Sequence, residues 1–274
     1  MVWGMARSHS GLDALSPVEG LTVELSGGVL SLTLNRPESL NSLTPKVLGG
    51  LADAAEAAAT DPRVKVVRLG GVGRGFSSGA GIGNESKFDG HEPMDTLIQG
   101  NRAVKALIDL PRPVVAVVHG PAAGIGVSLA LACDLVLAAE DAYFLLAFTK
   151  IGLMPDGGAS ALVAASIGRA RAMKMALLAE RLPATEAAEH GLISAVYPAD
   201  ALAEETTAVI DRLLAGPAVA YAKTKHAING ATLARLDATL ANEVAGQALL
   251  LRAHDLREGI DAFRERRAPK FTDV

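Results

Sequence analysis

The sequence predicts an α/β fold, with a core of strand–helix units over residues 18–200 and a helical C-terminal region over residues 201–274. Three observations predict it. Apolar residues alternate at period two on both sides of Gly27-Gly28. β-Branched runs follow at 64–69 and 114–118. From Gly157 onward the apolar spacing turns helical.

The elements follow in order. Segments 21–25 and 30–34 read as a hairpin around Gly27-Gly28. Segment 44–59 reads as a helix, with Thr44 as N-cap and Pro45 at the first helical position. A strand at 64–69 precedes a polar, glycine-containing loop at 83–92. A helix over 93–110 ends at Pro111. The run 114–118 is nearly all β-branched, as expected of a buried strand. Helix 127–132 and strand 135–138 complete the strand-rich part. Helices are then expected over 169–179, 185–190, 201–215, 218–228, 233–251 and 255–266.

Composition narrows the function. A chain of 274 residues, half of them hydrophobic, has enough apolar material for a sizeable core. With only 4% aromatic residues, that core is built from Ala, Val and Leu. A net charge of −4 excludes the basic footprint of a nucleic-acid binder. No apolar run reaches the ~20 residues that span a bilayer. Residues 1–17 lack the charged start and continuous apolar stretch of a signal peptide, and read as a flexible tail. The single cysteine, Cys133, forms no internal disulfide, fits a reducing cytoplasm, and reads as a buried filler.

Two small-residue loops carry the chemistry. Phe76-Ser77-Ser78-Gly79-Ala80-Gly81-Ile82 and Gly120-Pro121-Ala122-Ala123-Gly124-Ile125-Gly126 each follow an apolar run and lead toward a helix. Small residues let a ligand reach the main chain, and a helix start leaves N–H groups unpaired. A pair of such loops can hold one oxygen between two N–H donors, as an oxyanion hole does. Neither loop completes a dinucleotide fingerprint, and no P-loop is present. The string Gly75-Phe76-Ser77-Ser78-Gly79 matches a nucleophile elbow, but no His/Asp partners can be identified and it reads as chance. No His or Cys spacing suggests a metal. Pro155-Asp156-Gly157-Gly158 taken alone is a turn signal in which Asp156 caps a helix. His119, at the end of a buried strand, reads as structural.

Several motifs in one order resemble the crotonase, or enoyl-CoA hydratase/isomerase, superfamily. They are Leu34-Asn35-Arg36-Pro37, Leu40-Asn41-Ser42-Leu43, the two loops, Ala132-Cys133-Asp134, Lys150-Ile151-Gly152-Leu153-Met154-Pro155-Asp156-Gly157-Gly158, Ala188-Glu189-His190-Gly191-Leu192 and a C-terminal stretch from Phe263 to Phe271. The resemblance implies a spiral of ββα turns with a helical trimerisation region. It also implies an acyl-CoA thioester substrate with no separate cofactor, and a homotrimer or dimer of trimers.

The resemblance assigns roles residue by residue. The oxyanion donors are the backbone N–H groups of Ala80 and Ile125. Gly81 stands where the family has aspartate. The two hydratase glutamates are replaced by Ser128 and Phe148, which disfavours simple hydration. The stretch from Phe144 to Gly158 looks like the ring-epoxyphenylacetyl-CoA isomerase and enoyl-CoA isomerase branch, where the match to Asp156 is the acid–base group. Ser39 and Leu40 match a segment that approaches coenzyme A through its backbone, and Lys270 and Phe271 match a basic–aromatic pair that can reach it. Ser78, Ile82, Gly124, Ser128 and Phe148 are further expected substrate contacts. The expected reaction is enoyl-CoA isomerisation. Hydration, hydrolytic attack on an aryl-CoA (with a histidine base in the region of His91) and non-catalytic acyl-CoA binding are the alternatives.

Overall fold

The computed structural model describes residues 11–81 and 93–273. The hairpin forms as expected: β1 (Leu21–Ser26) pairs antiparallel with β2 (Val29–Leu34). Gly27 and Gly28 both take positive φ, +58° and +87°, which the tight turn between twisted strands requires. Thr44 caps α1 (Pro45–Thr60), its Oγ1 accepting from Val47 N–H at 3.2 Å. Then come β3 (Val66–Gly71), α2 (Pro93–Asp109) and β4 (Val114–Val118), all five residues of the last buried.

From β4 onward the chain winds. β5 (Pro121–Ala123) leaves the main sheet and leads into α3 (Ile125–Leu131). The chain returns through β6 (Leu135–Ala139), leaves again through β7 (Tyr143–Leu145), and then forms α4 (Ala159–Leu178). After β8 (Leu182–Pro183) and α5 (Ala184–Glu189), β9 (Ala195–Tyr197) returns to the main sheet. The result is a six-stranded sheet in the order β1-β2-β3-β4-β6-β9 and a three-stranded sheet in the order β5-β7-β8. The turns β4–β5–α3 and β6–β7–α4 each place one strand in either sheet, as in the ββα spiral that the resemblance implies.

The helical region comprises α6 (Leu202–Leu214), α7 (Ala218–Thr232), α8 (Leu236–Leu250) and α9 (His254–Glu265). Among the described residues, no helix is long and apolar enough to cross a membrane.

Some boundaries differ from the sequence reading. Part of the expected tail is built in: Leu12–Ala14 forms a short 3-10 turn, and Leu12 and Leu15 pack on the core. Within α4 the backbone leaves the helical region at Gly168 (φ +76°, ψ 162°), so the span is two helices joined at a kink: the expected helix from 169 forms, and the helical stretch from Ala159 up to the kink was not expected. The strands β5, β7, β8 and β9 were not expected. Each has three residues or fewer, too short to show a period.

Candidate active site

The two loops meet. Ser77 and Ala122 form a parallel bridge, with Ser77 N–H donating to Pro121 O at 3.0 Å and Ala123 N–H to Ser77 O at 2.9 Å. Gly79 has φ +84°, and a Cβ there would lie 2.7 Å from Ala123 O. Only glycine permits this approach. Ser77 Oγ donates to Asn41 O and accepts from Gly79 N–H, so it is locked into the loop rather than free as a nucleophile. Asn41 is buried as well, and its Nδ2 donates to Val72 O and Gly75 O.

Among the described residues, no main-chain carbonyl accepts from the N–H of Ala80 or of Ile125. Both residues line a cavity of 450 Å³, together with Ser78, Gly124, Phe148 and Asp156. The Ile125 side chain turns away into the core, where Gly100 of α2 leaves it room that a Cβ would occupy. A bulky residue therefore fits the second loop while its main chain stays at the cavity.

Asp156 is half-buried. Burial pushes its carboxyl up to about 7, a hydrogen bond from Gln247 opposes the rise, and the Glu243 charge adds to it. Its side chain is not a helix cap. Gly158 is the N-cap of α4 and offers no side chain, so Glu243 of α8 fills the role. The Glu243 carboxylate accepts from Gly158 N–H at 2.7 Å and Ser160 N–H at 3.0 Å. Glu243 is 1% exposed, and its burial is offset by these bonds and the positive end of α4. Glu243→Ala would leave both N–H groups without acceptors. We expect a loss on the order of 2 kcal/mol after release of the desolvated charge. An unchanged urea midpoint would refute the capping role.

Five expected contacts do not line the cavity. Ser128 is fully buried, and its Oγ donates to the main-chain O of Asp156 at 2.9 Å, so it supports the acid from behind. Ser39 O accepts from Ser78 Oγ, Leu40 O accepts from Ser78 N–H, and the N–H groups of both residues are used within their own turn. These backbone groups hold the first loop in place and have little left for a ligand; neither residue lines the cavity. Lys270 and Phe271 belong to a segment tied back onto α9, with Lys270 N–H donating to Glu258 and Thr272 N–H to Asp255. They do not line the cavity of their own chain. Ile82 and His91 lie outside the described residues. His119 Nε2–H donates to Gly73 O at 2.9 Å. Cys133 is buried, which pushes its thiol pKa up.

His254, Asp255 and Asp273 cluster closely enough to suggest a cation site. Both carboxylates instead accept main-chain N–H groups that fasten the C-terminal segment.

The sequence reading missed Gln247 and Glu243. Both sit on α8 in the buried series Leu236, Leu240, Glu243, Gln247. The spacing of four, three and four is that of a core-facing stripe. Two polar residues on such a stripe are the signal that could have found them. Leu251 and, on α9, Leu256 and Ile260 complete the apolar wall.

Comparison with known proteins agrees with this fold. Residues 24–274 match the family described as enoyl-CoA hydratase/isomerase. A 1,2-epoxyphenylacetyl-CoA isomerase of Escherichia coli is 38% identical over 260 residues, covering 93% of this chain and 99% of its own. A protein of Rhodobacter capsulatus named "Probable enoyl-CoA hydratase" is 40% identical over 251 residues, covering 91% of this chain and 96% of its own. The crystal structure of an enoyl-CoA hydratase from Mycobacterium avium subsp. paratuberculosis superposes with a TM-score of 0.89 at 63% identity, covering 94% of this chain and all of that one.

Proposed function

The chain belongs to the enoyl-CoA hydratase/isomerase family, and we propose that within it the protein is an enoyl-CoA isomerase. One observation carries the reading. Among the described residues that line the cavity, Asp156 is the only carboxylate, and its pKa of about 7 suits both taking and giving a proton near neutral pH.

In this reading the thioester carbonyl accepts from the N–H groups of Ala80 and Ile125. These donors favour the enolate over the neutral thioester, which makes the proton on the adjacent carbon removable. Asp156 takes that proton. The C–H electrons enter the enolate, and the neighbouring double bond becomes conjugated with it. The proton returns two carbons further along, and a 3-enoyl-CoA becomes a 2-enoyl-CoA. Atoms and charge balance without a co-reactant. Coenzyme A is part of the substrate.

Hydration of a 2-enoyl-CoA is the second reading, favoured by the names of two of the relatives. It needs one group to activate water and another to protonate carbon. Phe148 and the buried Ser128 supply neither, and Glu243 is committed to α4. We expect the protein to isomerise 3-enoyl-CoA and to hydrate crotonyl-CoA slowly. The same preparation should bind a non-hydrolysable acyl-CoA analogue more tightly than free CoA. Efficient hydration of crotonyl-CoA would overturn the isomerase reading. Equal affinity for the analogue and for CoA would remove the oxyanion hole from it.

A further inference from the structure

We propose that Gln247 is a positioning residue for the proton carrier: its side-chain amide occupies Asp156 Oδ2 and leaves Oδ1 as the oxygen that takes and returns the substrate proton. The inference rests on Asp156 being the acid–base group.

Gln247 reaches both sides of Pro155 from α8. Its Nε2 donates to Met154 O at 2.9 Å and to Asp156 Oδ2 at 2.8 Å. A side-chain amide has two N–H bonds, and both are used. The reversed amide would face two acceptors with an oxygen, so the orientation is fixed by its partners. Gln247 is 2% exposed, and its Oε1 is buried without a partner. An unpaired buried oxygen is a cost that an apolar residue of the same length would avoid. What the amide adds in return is a pair of hydrogen bonds, both to the turn that carries Asp156.

Occupation of Oδ2 has a chemical consequence. An oxygen that accepts an N–H is less basic than its free twin, so a proton arriving at the carboxylate settles on Oδ1. One oxygen then serves both transfers, and the proton moves along one face of the enolate. The same hydrogen bond favours the ionised carboxylate against burial and against Glu243. Arg36 and Lys46 line the cavity from the segment before α1 and from its first turn. Among the described lining residues, α2 and α9 contribute no titratable group.

Gln247→Met keeps the length and removes both donors. Turnover of a 3-enoyl-CoA should fall about ten- to a hundredfold, the worth of a hydrogen bond to a charged group, with KM changed less than about threefold. The acidic limb of the kcat profile should move up by about one to two pH units. Gln247→Asn, one methylene short, should move it the same way. Lowered turnover with an unmoved limb in both variants, or failure of both to fold, overturns the positioning role in favour of a structural one. Asp156→Asn run in parallel separates the two readings. Full turnover in that variant removes the acid–base assignment itself, whereas its inactivity beside an unmoved limb for Gln247→Met overturns this inference alone.

Discussion

Asp156→Asn is expected to lower isomerisation of a 3-enoyl-CoA by about 10²–10⁴-fold, the range of a positioned acid–base group, while acyl-CoA affinity changes little. The amide keeps the size of the carboxyl but carries no transferable proton. The same substitution should raise stability at pH 8. Burial lifts the Asp156 carboxyl to about 7 from its ordinary value of 3.8, so between those values the folded protein holds a proton that the unfolded chain has released. Stability contributed by the protonated form is present below about pH 4 and is lost as pH rises through about 7. Above pH 7 the folded protein carries a desolvated charge there, and asparagine removes it. The pH profile of wild-type kcat/KM should rise through about 7, because the carboxylate is the form that removes the proton. Full turnover by the Asn variant would take Asp156 out of the mechanism. A lower melting temperature at pH 8 would contradict the origin given for its raised pKa.

Gly79→Ala should have the other large effect, from a single methyl group. At φ +84° a Cβ is strained, and here it would also meet Ala123 O at 2.7 Å. The first loop must move away from the second, and the Ala80 N–H moves with it. Loss of one oxyanion donor typically costs about 10²–10³ in kcat, and strained backbone adds roughly 1–3 kcal/mol of instability. Gly230→Ala on α7 is the control, since a Cβ there meets nothing within 4 Å. If Gly79→Ala matches that control in melting temperature and turnover, the first loop plays no part in the site.

Much of the fold was legible because its signals are local. The hairpin glycines, the Thr44-Pro45 helix start and the β-branched run of β4 each fix an element within a few residues. The short strands were not legible, since they exist only through their partners: Ala122 is a strand residue because Phe144 lies beside it. The site divides the same way. The glycine loops stand out in the sequence, because close backbone approach demands small residues, whereas Asp156 taken alone reads as a turn and cap residue and gains its role only through the family resemblance. The roles of Ser39, Leu40 and Ser128 depend on which hydrogen-bond partner the fold brings near, and spacing cannot say. Glu243 and Gln247 were hidden because α8 was read for its apolar residues alone.

The hydrogen bonds from α8 also set a schedule. Gln247 and Asp156 are 91 positions apart, and Glu243 is 85 from Gly158 at the start of α4. A ribosome that has just released the second glycine loop has made both oxyanion donors but not the residues that position the acid. The spiral core can close early, yet the proton carrier is held at one oxygen only after α8 has emerged and docked. Catalytic activity, rather than helix or strand content, is then the readout that marks the last step of this chain's maturation.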